Sequence, residues 1–489
     1  VKRPETLGEL RASGWRSRSV KDELRENLLR KLASGTPLFP GIVGYERTVV
    51  PQVQNALLSR HDFILLGLRG QAKTRILRAL HTLLDEQLPV IAGSELNEDP
   101  YAPLTPQSKL RAAQLGDALP IEWLPRASRY REKLATPDVT IADLIGDIDP
   151  VKAATRKLSF ADPEVIHYGI VPRTNRGIFA INELPDLPAR IQVGLLNVLE
   201  ERDVQIRGFP LRLELDLLLV FSANPQDYTN RGSIITPLRD RISSQILTHY
   251  PQTLEQGIEI ARQEAWTERA GAVRVDVPQW MRELIEEIAV QARASEMVDQ
   301  SSGVSARVTI SLLENVVSNA ERRAVLARAP SAVARVSDAF AAHSAITGKI
   351  ELVYEGEREG SQVVAGHLLG KAVKALFDRM LPDAYKPGGT PDSGELDYQP
   401  ILGFFQGGRS IELSDDLSDE ALYARLEIVP GLLAAARRYV GGESAGELAA
   451  GMEFVLEGLH RCSLLSKKVQ PGSQAYGDMF EDMVRTLKK

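Results

Sequence analysis

His61 to Leu84 reads HDFILLGLRGQAKTRILRALHTLL, and this stretch decides the fold. Phe63 to Leu66 is an uninterrupted apolar run of buried-strand length. Gly67 and Gly70 follow it, and glycine permits the tight backbone needed to turn a strand into the next element. From Arg75 onward the apolar residues return at helical spacing. Strand, glycine-bearing turn and helix make one half-unit of an α/β fold.

Moving outward, the same unit recurs. GIFAINEL, Gly177 to Leu184, is a second strand, and LPARIQVGLLNVLEE after it has a helical period. VQIRGFPLRLEL reads as a hairpin turning at Gly208, and LDLLLVFSANP is a third buried strand with a polar tip. From 253 to 345 successive helical periods replace the alternation. The expected fold class is therefore α/β, a P-loop core with a parallel sheet, then an all-helical lid and a mainly helical C-terminal extension. The expected domains are an N-terminal helical extension over 1–37, the α/β core over 38–252, the lid over 253–345 and an accessory domain over 346–489.

Several segments carry weaker patterns. Leu24, Leu28, Leu29 and Leu32 are spaced for one apolar helix face. The Pro-rich stretch from Asn97 to Pro137 has no long apolar period and predicts an irregular excursion with short elements. Beyond Ser344 the pattern suggests a strand pair or extended connection before a helix. Helices are expected near 418–439 and 444–460, and the Gly/Pro/Asp-rich residues near 386–397 read as a flexible loop.

Composition narrows the function classes. The 489 residues carry 59 Lys and Arg against 65 Asp and Glu, a net charge of −6, so no global positive field recruits nucleic acid or an anionic membrane. Cys462, the single cysteine, makes neither an internal disulfide nor a zinc cluster, which suits a reducing, cytoplasmic setting. No apolar run approaches the roughly 20 residues that span lipid.

The chemistry-bearing residues fall at strand ends. GLRGQAKT, Gly67 to Thr74, nearly makes a P-loop, in which backbone N–H groups cradle phosphate, Lys73 adds a point charge and the Thr74 hydroxyl ligates Mg²⁺. Ala72 stands where the strict motif has glycine; the plain alternative is an ordinary strand-to-helix turn. Glu183 ends the second strand, where a carboxylate orients water for attack on a terminal phosphate or opens a helix by accepting backbone N–H groups. Asn182 before it is neutral, a weaker metal partner. Asn224 follows the third strand and suits phosphate or water, while Asn-Pro also simply makes turns.

In this order the motifs resemble the AAA+ ATPases, within them the magnesium-chelatase I-subunit and MoxR-like branch. The resemblance covers about 38–345 and rests on IVGYE at 42–46, the phosphate loop, LIGDIDP at 144–150, NRGIFAINEL at 175–184, LLNVLEE, VQIRGFPLRL, SANP at 222–225 and PLRDRI at 237–242. It implies ATP and Mg²⁺ as cofactors. Gly67, Gly70, Gln71, Ala72, Lys73 and Thr74 would bind phosphate, Ile42 and Val43 the adenine side. Thr74, Asn182 and Glu183 would form the metal side, with Glu183 the water-polarising residue and Asn224 the sensor. Arg241, or its neighbour Arg239, is similar to the arginine given to a neighbouring subunit's nucleotide, with a local salt bridge as the alternative. Arg307 resembles the second sensor, with a solvated helix-start charge as its alternative.

The family pattern has Asp before the strand-end Glu; this chain has Asn182. The resemblance further implies a homo-oligomeric, hexameric ring that remodels or activates a protein client, including clients with a von Willebrand-type adhesion domain. A magnesium chelatase subunit and a slow, nucleotide-gated scaffold are the alternatives. The hairpin around Arg207 and Arg212 resembles the branch's projecting insert, and without basic-aromatic interleaving it gives no nucleic-acid surface.

Overall fold

The computed structural model describes residues 3–157, 165–201, 203–205, 212–225, 233–271, 273–385, 396–406 and 408–479. The chain divides into two compact units, Val1–His249 and Tyr250–Lys489.

The first unit is built on five parallel strands: β1 (Phe63–Leu66), β2 (Tyr130–Leu134), β3 (Gly177–Asn182), β4 (Leu217–Ala223) and β5 (Ser244–Leu247). Their order is β5-β1-β4-β3-β2. Every residue of β1, β3 and β4 is buried, as expected for central strands covered on both faces. Alternate residues feed two cores. Phe63, Leu65, Ile178, Ala180, Leu218 and Val220 pack with helices Val20–Ala33, Val49–Leu58 and Lys73–Ala79. Ile64, Leu66, Phe179, Ile181, Leu219 and Phe221 pack on the other side with Ile191, Leu195, Val198 and Leu238. Truncating one of these phenylalanines to alanine costs about 3–5 kcal/mol.

The α/β core with its parallel sheet is thus the expected class, and it departs from the sequence reading in three places. Tyr130–Leu134, inside the stretch read as irregular, is an edge strand of the main sheet; its sequence, YREKL, lacks the apolar run that marks the central strands because an edge strand tolerates charge. Leu29 and Leu32 are exposed, and the helix Val20–Ala33 buries Val20, Leu24 and Leu28 instead. Beyond Ser344 the described residues form short helices, Ser344–Thr347 and Tyr354–Glu359, rather than a strand pair, before the long helix Ser361–Met380. The hairpin strands Asp203–Gln205 and Arg212–Glu214 pair antiparallel; Arg207 and the Gly208 turn lie outside the described residues, as does 386–395 of the expected loop.

Helix Val20–Ala33 is locked to the sheet by charge as well as packing. Ser19 caps it by accepting from the Asp22 N–H. Glu23 on its first turn, 1% exposed, takes both Arg129 Nη groups at 2.7 and 2.6 Å.

The second unit is mostly helical. Helices Gln279–Ala294, Arg307–Ala327, Ser361–Met380 and Ala445–Arg461 share one apolar core that runs from Ala261 to Tyr476. Two small sheets add to it: Arg274–Asp276 beside Ser331–Val333, and an antiparallel trio of Ile411–Ser414, Ser473–Asp478 and Leu465–Gln470. No helix among the described residues is long and apolar enough to cross a membrane.

Candidate nucleotide site

The carboxyl ends of β1, β3 and β4 are neighbours in the sheet, so the residues after each strand open on one crevice. Lys73, Glu183 and Asn224 meet there. Lys73 Nζ donates to Asn224 Oδ1 at 2.7 Å, to the Leu68 carbonyl at 2.9 Å and to the Gly67 carbonyl. Asn224 Nδ2 in turn donates to Glu183 Oε2 at 3.1 Å. A cation from the helix after β1, an amide from the end of β4 and a carboxylate from the end of β3 form one hydrogen-bonded chain.

The loop that carries Lys73 needs its unusual backbone. A Cβ on Gly67 would meet Thr248 Oγ1 at 1.9 Å and Gln71 Oε1 at 2.1 Å, so no other residue fits without displacing that pair. Gly70 has φ +75° and Ala72 has φ +55°. The second value explains why glycine is the ordinary occupant before the lysine: an L-residue in the left-handed region is strained by about 1–2 kcal/mol. Glu183 is held in the same region at φ +56°, a local strain of the kind found at functional sites.

Asn182, 8% exposed at the end of β3, stands between the loop and β4. Its Oδ1 accepts from Ser222 Oγ at 3.1 Å and from Thr74 Oγ1 at 3.5 Å. Ser222 also accepts from the Glu183 N–H at 3.4 Å. Thr74, Asn182 and Glu183 therefore present a hydroxyl, an amide oxygen and a carboxylate, all hard oxygen donors of the type Mg²⁺ takes. With no group of three or more His, Cys, Asp and Glu placed to hold a metal ion among the described residues, such an ion would rely on one carboxylate and on substrate phosphates, a usual arrangement for Mg²⁺.

Tyr45, two residues beyond Val43, touches the loop. Its hydroxyl donates to the Gln71 carbonyl at 3.0 Å and to the His249 carbonyl at 2.7 Å. Ile42 is buried against the core and Val43 is half-buried. Thr248 steadies the other side of the loop, donating to Gln71 Oε1 at 2.6 Å. Ser222, Tyr45 and Thr248 carry no role in the motif reading; for Ser222 and Thr248 the one available signal is their place at strand ends beside motif residues.

The arginines make contacts of their own. Arg241 Nε donates to Glu200 Oε2 at 2.6 Å and its Nη1 to the Pro237 carbonyl at 3.0 Å, so within one chain it is engaged in a local ion pair. Arg239 is exposed on the same helix, Thr236–Arg241. Arg307, in the second unit, is the exposed first residue of helix Arg307–Ala327.

This crevice sits on an AAA+-like fold: a parallel α/β core with a glycine-bearing strand-to-helix loop, followed by a largely helical unit. Residues 154–245 match the family model described as the Sigma-54 interaction domain, a span that holds Glu183, Asn224, Arg239 and Arg241 and excludes the 67–74 loop. Fold and match together place the core in the AAA+ ATPase superfamily and single out no family within it. Among solved structures, NtrX from Brucella abortus is 14% identical, with 59% of this chain and 54% of that chain covered at a TM-score of 0.33. This chain thus spans about half of NtrX. A putative ATPase from Cytophaga hutchinsonii is 16% identical, covering 74% and 97% at a TM-score of 0.29. A BchI–BchD complex of magnesium chelatase is 19% identical, covering 66% and 98% at 0.34. Likeness at this level says nothing about activity.

Proposed function

We propose that this chain binds MgATP in the Gly67–Thr74 crevice and hydrolyses it to drive rearrangement of a protein partner. The observation that carries the reading is the Lys73–Asn224–Glu183 chain, which supports three different tasks at one point. Lys73 brings positive charge to the terminal phosphates in place of its present amide and carbonyl partners. Glu183 has one carboxylate oxygen held by Asn224, which orients the group so that it can align an attacking water. Asn224 touches both residues and so senses whether the lysine is engaged.

Thr74, Asn182 and Glu183 would hold Mg²⁺, which when bound neutralises phosphate charge. Ile42 and Val43 would take the base, positioned by the Tyr45 tether. Arg241, released from Glu200, and Arg239 beside it would act on the nucleotide of a neighbouring copy, where an always-charged planar donor suits phosphate. Arg307 would serve as the second sensor. These roles belong to a ring assembly, six-membered by resemblance, with the second unit coupling turnover to a protein client. A client with a von Willebrand-type domain rests on the resemblance alone.

The experiment is a pair of substitutions assayed for ATP binding and for phosphate release. Lys73→Ala should lower ATP affinity by at least tenfold. Glu183→Gln should bind ATP normally and lose most turnover. A Glu183→Gln protein that hydrolyses ATP at the parent rate ends the assignment of Glu183.

A further inference from the structure

Three cationic side chains share one face at the edge of the sheet. Arg131 of β2 lies opposite Phe179 of β3, and Lys133 lies opposite Ile181. Residues paired across a parallel ladder point to the same side, and Phe179 and Ile181 belong to the core layer that contains Val165, Ile166 and Val171. Arg131 and Lys133 therefore project on the side covered by the chain from 165 to 174. Arg173 is in that cover, on the 3-10 turn Pro172–Thr174.

The arginines are not matched there. The Nε atoms of both Arg131 and Arg173 are buried, and neither has a hydrogen-bond partner. Among the described residues neither guanidinium has an ion-pair partner. Lys133 differs, since its charge is felt by Asp138 and Asp143. Burial lowers the pKa of Arg131, and the neighbouring charge of Arg173 lowers it further. The two arginines of this unit that are buried as whole residues instead have a carboxylate beside them, although one nitrogen of Arg176, Nη2, also makes no hydrogen bond. Arg129 has Glu23, and Arg176 has the Pro89 carbonyl at 2.8 Å with Asp99 at 3.5 Å.

A solvated charged face is the plain alternative, but water does not reach these Nε atoms. A buried donor left without a partner is destabilising, and arginine stays charged throughout the physiological range, so it cannot escape by deprotonating. Two guanidinium groups set together without a counter-charge suit one kind of occupant, an anion with several acceptor oxygens.

We propose that Arg131 and Arg173 form an oxyanion-binding site that takes a phosphate or carboxylate group, separate from the Gly67–Thr74 loop. The group has two sources: a free phosphate-bearing molecule, or a carboxylate side chain of a second copy of this chain. The site does not depend on the ATPase reading.

Inorganic phosphate is the probe, titrated calorimetrically into the 489-residue chain carrying Lys73→Ala so that phosphate at the loop does not contribute. Binding that weakens at least tenfold in Arg173→Gln and in Arg131→Gln, with circular dichroism unchanged, supports the site and a free ligand. No phosphate binding, together with self-association in sedimentation that weakens at least tenfold in the same variants, supports the site and the second copy as its source. If Arg173→Gln does not fold, Arg131→Lys, which keeps the charge and removes the Nε donor, carries the comparison. Phosphate affinity and self-association that are each absent from the parent or unchanged in the folded variants overturn the proposal.

Discussion

Asn224 joins Lys73 to Glu183: its Oδ1 accepts from the lysine at 2.7 Å while its Nδ2 donates to the carboxylate at 3.1 Å. One amide thus satisfies a cation and an anion at once, using its acceptor for the first and its donor for the second. Neither Asp nor Leu, the two nearest shapes, offers both.

Asn224→Asp should therefore be worse than Asn224→Ala for turnover. The aspartate would set a second negative charge beside Glu183 and remove the donor that orients it, whereas alanine only leaves two polar groups to find water. A loss of roughly 100-fold is expected for the aspartate variant, comparable with removal of an oriented polar group from other active sites. Single-turnover ATP hydrolysis, with ATP binding measured in parallel, checks the order. Equal rates for the two variants would show that Asn224 does not orient Glu183.

Much of this site was legible because its parts follow buried apolar runs. FILL, GIFAIN and LLLVF are each wholly apolar or nearly so, and the residue after such a run is fixed at the mouth of a parallel sheet. The edge strand Tyr130–Leu134 gave no such signal. Its Arg131, Glu132 and Lys133 lie along an edge that tolerates charge, and only the ladder to Gly177–Asn182 reveals them as strand. The Asn182–Ser222 and Gln71–Thr248 bonds were equally invisible, since each joins residues 40 or more positions apart through a register the sequence does not print.

Ala72 offers a test of backbone strain. Its φ of +55° is a conformation that glycine adopts freely, and the Ala72→Gly substitution removes a left-handed strain of about 1–2 kcal/mol while adding about 0.5–1 kcal/mol of unfolded-chain entropy. The variant should be more stable by up to about 1.5 kcal/mol, read from urea unfolding. A clear loss of stability would mean that the Ala72 methyl, which packs at the margin of the core, contributes more than the strain costs.

Glu23 and Arg129 should behave as a unit. Both are buried, and their two hydrogen bonds tie helix Val20–Ala33 to the turn before the edge strand. Removing one partner leaves an uncompensated buried charge, so Glu23→Ala should cost about 3–5 kcal/mol. Replacing both, as Glu23→Leu with Arg129→Met, should recover most of that loss. Thermal unfolding of Glu23→Leu, Arg129→Met and the double variant gives the coupling directly; additive effects would mean the pair does not act as one.

Glu286 gives the fold a pH dependence of definite sign. It lies on helix Gln279–Ala294, packed so closely against Gly257 that a Cβ there would meet its carboxylate at 2.2 Å, and Arg293 Nη1 stands at 3.6 Å. Burial, only partly offset by Arg293, pushes its pKa up to about 7 from an ordinary 4.5. Between those values the folded chain holds a proton that the unfolded chain has lost, so folding stability falls as pH rises through this window and levels off above about 7. The shift corresponds to roughly 3 kcal/mol. Glu286→Gln keeps the shape and removes the ionisation: it should match the parent near the ordinary carboxylate pKa of 4.5 and be more stable about one unit above the folded pKa. Chemical unfolding of both proteins at the two pH values decides the matter, and a Glu286→Gln variant with no advantage on the alkaline side would show that Arg293 already compensates the ionised carboxylate in full.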